Sequence, residues 1–103
     1  MFIGKKEFYE KYTTTGTLLG KGGNGSVYAG YRNSDKFPVA IKVVGKKRLV
    51  RGTVNQKNVK VPIEVALMTK ARHIKGVIKL IDYSELPGDC FVMVMERKVN
   101  SHR

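Results

Sequence analysis

The first half of the chain alternates short runs of β-branched, aromatic and leucine residues with clusters of glycine, asparagine and proline. Residues 12–19 and 26–32 are rich in Thr, Val, Tyr and Leu, and residues 21–25 between them hold three glycines. That pattern predicts two strands joined by a glycine-rich hairpin, with Asn24-Gly25 as its turn. Asn33-Ser34-Asp35 predicts the next turn, and Pro38-Val39-Ala40-Ile41-Lys42-Val43-Val44 reads as a third, largely buried strand.

The pattern then changes. From Lys36 to Ile63 there are eight basic residues and no acidic one, and Gly45, Gly52 and Asn55 interrupt any period, so residues 45–61 read as a mobile basic connection. Pro62 suits a first helical position. Behind it Ile63, Ala66, Leu67 and Lys70 fall on one helical face, and Glu64, Leu67, Met68 and Ala71 on an adjoining one, predicting a helix of about three turns that ends near Arg72. Residues 77–83 and 91–95 read as two further strands around a Pro87-Gly88-Asp89 turn. Hairpin-linked strands must bury one face, and one amphipathic helix is at hand to cover it. The expected fold is therefore α+β, a twisted five-stranded antiparallel sheet with one main helix against it.

Composition narrows the class. At 103 residues with 42% hydrophobic content, the chain is one small domain or one lobe of a larger one. Twenty Lys and Arg against eight Asp and Glu give a net charge of +12, which predicts weak, salt-sensitive polyanion binding. No aromatic-rich reading surface accompanies the charge, so a specific nucleic-acid partner is not expected. Cys90 stands alone, which excludes an intramolecular disulfide or a zinc cluster, points to an intracellular setting, cytoplasmic or also nuclear, and leaves Cys90 as a small hydrophobe. The longest apolar run, residues 91–95, is far short of the roughly 20 residues of a membrane span.

Gly20, Gly22 and Gly25 form G-x-G-x-x-G. A dinucleotide-binding version opens a helix and has an acid about 20 residues further on, whereas here a strand follows and the acid is missing. A Walker loop fails because no Gly-Lys-Ser/Thr closes the run. What remains is a hairpin whose bare backbone N–H groups approach phosphate oxygens, or an ordinary glycine-rich tip. Val39-Ala40-Ile41-Lys42 on the next strand favours the first reading. Lys42 interrupts an apolar run, where an amine is costly to bury unless an anion meets it. Glu64 interrupts the apolar face of the helix in the same way. A snorkelling lysine and a first-turn acid favoured by the helix dipole are the plain alternatives. Together, the two supply a lysine for the α and β phosphates and a carboxylate to hold it, as phosphoryl transfer requires.

On these residues the sequence resembles the small lobe of a eukaryotic serine/threonine protein kinase. Leu18-Leu19-Gly20-Lys21-Gly22-Gly23-Asn24-Gly25-Ser26-Val27-Tyr28, Pro38-Val39-Ala40-Ile41-Lys42 and Val61-Pro62-Ile63-Glu64-Val65 look specifically like the Pim family. The resemblance implies an ATP site formed by the loop from Gly20 through Lys21, Gly22, Gly23, Asn24 and Gly25 to Ser26. Leu19, Val27 and Ala40 would enclose adenine, Lys42 would meet the phosphates and Glu64 would orient Lys42. Met95 would be the gatekeeper, Glu96 a backbone contact to adenine, and Met68 and Leu80 members of a hydrophobic spine; core packing accounts equally well for the apolar ones. It further implies residues 1–11 as an N-terminal extension, 12–97 as a partial kinase domain and 98–103 as a non-family tail left by truncation. Lys98-Val99-Asn100 matches the coding of an exon end running into a splice donor.

The departures are as informative as the matches. No His-Arg-Asp loop and no Asp-Phe-Gly occur in the 103 residues. Asp35, Asp82 and Asp89 are expected in turns or at a strand end, so no catalytic residue and no metal ligand is assigned. Lys98 takes the place of the hinge proline of Pim-like kinases. The expected function is the ATP-binding lobe of a kinase that, complete and with Mg²⁺, phosphorylates protein Ser or Thr, the chain alone being inactive and meeting protein substrates only through a large lobe. A non-catalytic basic binding module or a decoy lobe is the alternative.

Overall fold

The alternation of the first 45 residues is realised as three consecutive antiparallel strands, β1 (Tyr12–Gly22), β2 (Gly25–Arg32) and β3 (Pro38–Gly45), preceded by a short helix, α1 (Lys5–Lys11). A hairpin of β4 (Leu49–Val54) and β5 (Lys57–Pro62) leads to α2 (Ile63–Lys70), and β6 (Leu80–Leu86) and β7 (Cys90–Glu96) follow. This computed structural model describes residues 1–22, 25–45, 49–54, 57–70, 74, 76, 78–88 and 90–97, with only the backbone for 49–64. The main sheet has five strands in the order β1-β2-β3-β7-β6, and each neighbouring pair is antiparallel. No helix among the described residues is long and apolar enough to cross a membrane.

The expected sheet and helix are present, with corrections; Pro62, expected to open the helix, closes β5, and α2 begins at Ile63. Within residues 45–61, expected as a mobile basic connection, the described residues form regular structure: β4 and β5 pair from Leu49↔Pro62 to Val54↔Lys57 as a separate two-stranded sheet. Val50, Val54, Val59 and Val61 supply strand propensity that the charges and Gly52 obscure. Helix α2 turns Val65 into the core at 1% exposure and leaves Leu67 59% exposed, so the buried stripe is offset from the one centred on Leu67. Asp82, expected at a strand end, lies inside β6 and is buried.

Successive residues of β3 divide between two cores, because neighbouring strand residues point to opposite faces. Val39 and Ile41 join Val92 and Val94 of β7, all at most 1% exposed, under Ile3, Phe8 and Tyr12. Full burial of one such aliphatic side chain contributes roughly 1.5–3 kcal/mol. On the other face Val44 joins Phe91, Met93, Tyr83 and Val65 of α2, with Ala66, Met68 and Leu80 packed against them. Met68 and Leu80 are thus partly buried, whereas Leu67, Ile74 and Ile78 are 58–59% exposed.

Residues 1–12 close the first core and are fastened to β6. Ile3 N–H donates to Tyr83 O and Tyr83 N–H to Met1 O, each at 2.9 Å. Lys11 Nζ donates to Asp82 Oδ2 at 2.8 Å, and the Tyr12 hydroxyl donates to the same oxygen. Burial, then the hydrogen bond to Asp82, pushes the Tyr12 hydroxyl well above the ordinary tyrosine range. A group whose folded value is raised stabilises fully below its unfolded value, here 10.0, and loses that contribution as pH rises beyond it. We expect Tyr12→Phe to cost about 1 kcal/mol at neutral pH and to flatten the fall in stability at alkaline pH. Urea unfolding between neutral pH and pH ~11 checks this, and an unchanged alkaline slope would contradict it.

Candidate functional site

The glycine-rich hairpin pairs irregularly before it turns. Pairing between β1 and β2 shifts register between Thr14 and Leu18 and again between Leu18 and Gly20, then resumes as Gly20↔Val27, Lys21↔Ser26 and Gly22↔Gly25. Such irregularities kink a strand and increase its twist. Gly23 and Asn24 lie outside the described residues. Gly25 is required by the fold: its φ is +147°, and a Cβ there would stand 2.0 Å from Val43 O. For Gly20 and Gly22 packing gives no such reason, since an added Cβ at either meets nothing within 4 Å among the described residues. The hairpin thus presents bare backbone to open space at two of the three motif positions.

Register places Lys42 between Val27 of β2 and Met93 of β7. Directly paired residues share a face, so Val27, Lys42 and Met93 lie on the α2 side of the sheet. Ala40, two residues earlier on that face, pairs with Ala29 and with Met95, and Met95 also pairs with Leu80. The residues expected to enclose a ring and those expected to meet phosphates therefore occupy one surface, apart from the Tyr12–Asp82 network on the other. Leu19, beside the second register shift, is 47% exposed. Glu96 pairs with Val39, and its N–H donates to Lys79 O at 3.2 Å.

Glu64 is the second residue of α2, and its side chain lies outside the described residues, as does the expected pair with Lys42. Met68 and Leu80 are brought together against the second core. Of the aspartates, Asp35 is held by a two-pronged bond from Arg32 at 2.9 and 2.7 Å and by Phe37 N–H at 3.1 Å, which lowers its pKa to about 2. Asp82 faces the opposite core, and Asp89 lies outside the described residues. Arg97 carries no site motif in the sequence, yet it is tied into the sheet. Its Nε donates to Val39 O at 3.0 Å and its Nη2 to Gly30 O at 3.2 Å, contacts that no short-range pattern announces.

No protein-family model matches the chain. It is 38% identical over 89% of its length to the serine/threonine-protein kinase pim-2 of Danio rerio. It is 35% identical over 77% of its length to prk-2, and 33% identical over 92% to chk-2, both serine/threonine-protein kinases of Caenorhabditis elegans. The chain is homologous to serine/threonine protein kinases. It spans 32% of the pim-2 kinase and 18% and 22% of the other two. The antiparallel sheet, with α2 on the Lys42 side, is the architecture of a kinase small lobe.

Proposed function

We propose that the chain is the ATP-binding lobe of a Pim-like serine/threonine kinase, whose complete form moves the γ-phosphoryl group of ATP to protein Ser or Thr. The observation that carries this reading is the common face of Val27, Ala40, Lys42 and Met95 beneath a hairpin whose Gly20 and Gly22 border open space. In this reading Leu19, Val27 and Ala40 enclose the adenine ring and Met95 limits its depth. Glu96 accepts from the adenine amino group through its carbonyl, because its N–H already donates to Lys79. The loop from Gly20 through Lys21, Gly22, Gly23, Asn24 and Gly25 to Ser26 covers the phosphates, and its backbone amides supply donors without side-chain bulk. Lys42 gives the α and β phosphates a fixed positive partner and Glu64 orients it.

Mg²⁺ is a different matter. Among the described residues no three His, Cys, Asp or Glu side chains come together as a metal site, Asp35 is tied to Arg32, and Asp82 belongs to the other face. These residues do not fit the metal, and we assign no step through it to this chain. A basic binding module is the second reading, favoured by the β4–β5 register that sets Arg51 opposite Lys60.

Radiolabelled phosphate transfer from ATP to a basic peptide tests the first reading. We expect none from the 103-residue chain and measurable transfer once a Pim-type large lobe is joined after Arg97. Transfer by the chain alone, or none by the joined protein when it is folded, would overturn the assignment.

A further inference from the structure

Arg97 follows the last residue of β7, and its side chain turns back across the sheet. The backbone N–H donates to Pro38 O at 3.3 Å, Nε to Val39 O at 3.0 Å and Nη2 to Gly30 O at 3.2 Å. Val39 is paired with Gly30 on one side and with Glu96 on the other. One planar guanidinium therefore joins β2 and β3 to the end of β7 at a single rung. A guanidinium presents its donors at fixed angles, so two carbonyls on adjacent strands fix its plane, and with it the path of its own backbone.

The neighbouring rung is the one that matters for a ligand. There Ala40 lies between Ala29 and Met95. We propose that Arg97 is a positioning residue for the adenine end of the site: it holds the main chain of Met95 and Glu96 at a fixed spacing from Ala40, and so sets the slot that a flat base enters. This rests on the nucleotide-site reading. The phosphate end, formed by Lys42 and the glycine hairpin, lies further along β3, beyond the rung that Arg97 clamps.

That separation supplies a test that a merely structural role would not pass. ATP uses both ends of the site, whereas inorganic tripolyphosphate uses only Lys42 and the hairpin. Binding of each is measured calorimetrically to the full 103-residue chain, native and carrying Arg97→Ala, Arg97→Lys or Lys42→Met. Arg97→Ala is expected to weaken ATP about tenfold while leaving tripolyphosphate within about twofold. Arg97→Lys, with one compact ammonium in place of the fork, falls between native and Arg97→Ala for ATP and keeps the test usable if the alanine variant unfolds. Lys42→Met weakens both ligands. Unchanged ATP binding in the Arg97 variants, or an equal loss of both ligands, overturns the role of Arg97 and leaves the nucleotide site standing. If the native chain binds neither ligand, the nucleotide-site reading fails, and the role of Arg97 with it.

Discussion

Replacing Lys42 by Met in the protein extended with a Pim-type large lobe is expected to lower phosphoryl transfer by a factor on the order of 1,000 or more, without unfolding the lobe. Lys42 lies on the sheet between Val27 and Met93, an apolar setting in which an unbranched thioether of similar length is well tolerated. The stability change should stay below about 1.5 kcal/mol. The rate change is large because phosphoryl transfer depends on positioning and on charge stabilisation, and methionine offers the phosphates no charge. Glu64→Gln should cost less, since it loosens Lys42 without removing its charge. Radiolabelled transfer and urea unfolding, measured on the same preparations, separate the two effects. A Lys42→Met protein with near-native transfer would remove Lys42 from the site.

Gly25→Ala is expected to destabilise the chain by at least about 2 kcal/mol, whereas Gly22→Ala should leave stability almost unchanged. At Gly25 the cost has two sources, the +147° φ and the 2.0 Å approach of a Cβ to Val43 O, a backbone atom that cannot swing aside. Gly22 pairs with Gly25 across the same hairpin, but a methyl group there meets nothing within 4 Å among the described residues and so obstructs only a ligand. Denaturant midpoints give the stability half of the comparison, and ATP affinity of the Gly22→Ala chain gives the other. Equal stability losses at the two positions would contradict the division between a glycine the fold requires and a glycine kept for a ligand.

This division was only half legible in the sequence. The pattern identified the hairpin, the strand carrying Lys42 and the helix carrying Glu64, because each depends on local periodicity and turn chemistry. It could not tell Gly25 from Gly22, which differ through contact with Val43, 18 residues further on. The β4–β5 hairpin was hidden for a related reason: Arg51, Lys57, Lys60 and Gly52 interrupt its valines, and charge argues against a strand even where cross-strand pairing forms.

The N-terminal segment was the least readable. Helix α1 has seven residues, too few to be stable alone, and is held by the burial of Phe8 and by bonds from Lys11 and Tyr12 to Asp82, 71 and 70 residues away. Asp82 in turn looks like a strand end because an isolated carboxylate has no place within a sheet; two donors brought from the other end of the chain give it one. Strand β6 runs from Leu80 to Leu86, later than the strand expected over 77–83.

In the proposed site Lys42 and the glycine hairpin form one phosphate-binding face. The direct measurement is an ATP titration of the native chain and of Lys42→Met, followed by backbone amide resonances. We expect weak binding with shifts confined to Gly20, Gly22, Val27, Lys42 and the Ala40–Met95 rung, and a loss of about tenfold or more in affinity when Lys42 is replaced. Shifts centred on the basic β4–β5 hairpin, with affinity unchanged by Lys42→Met, would contradict it.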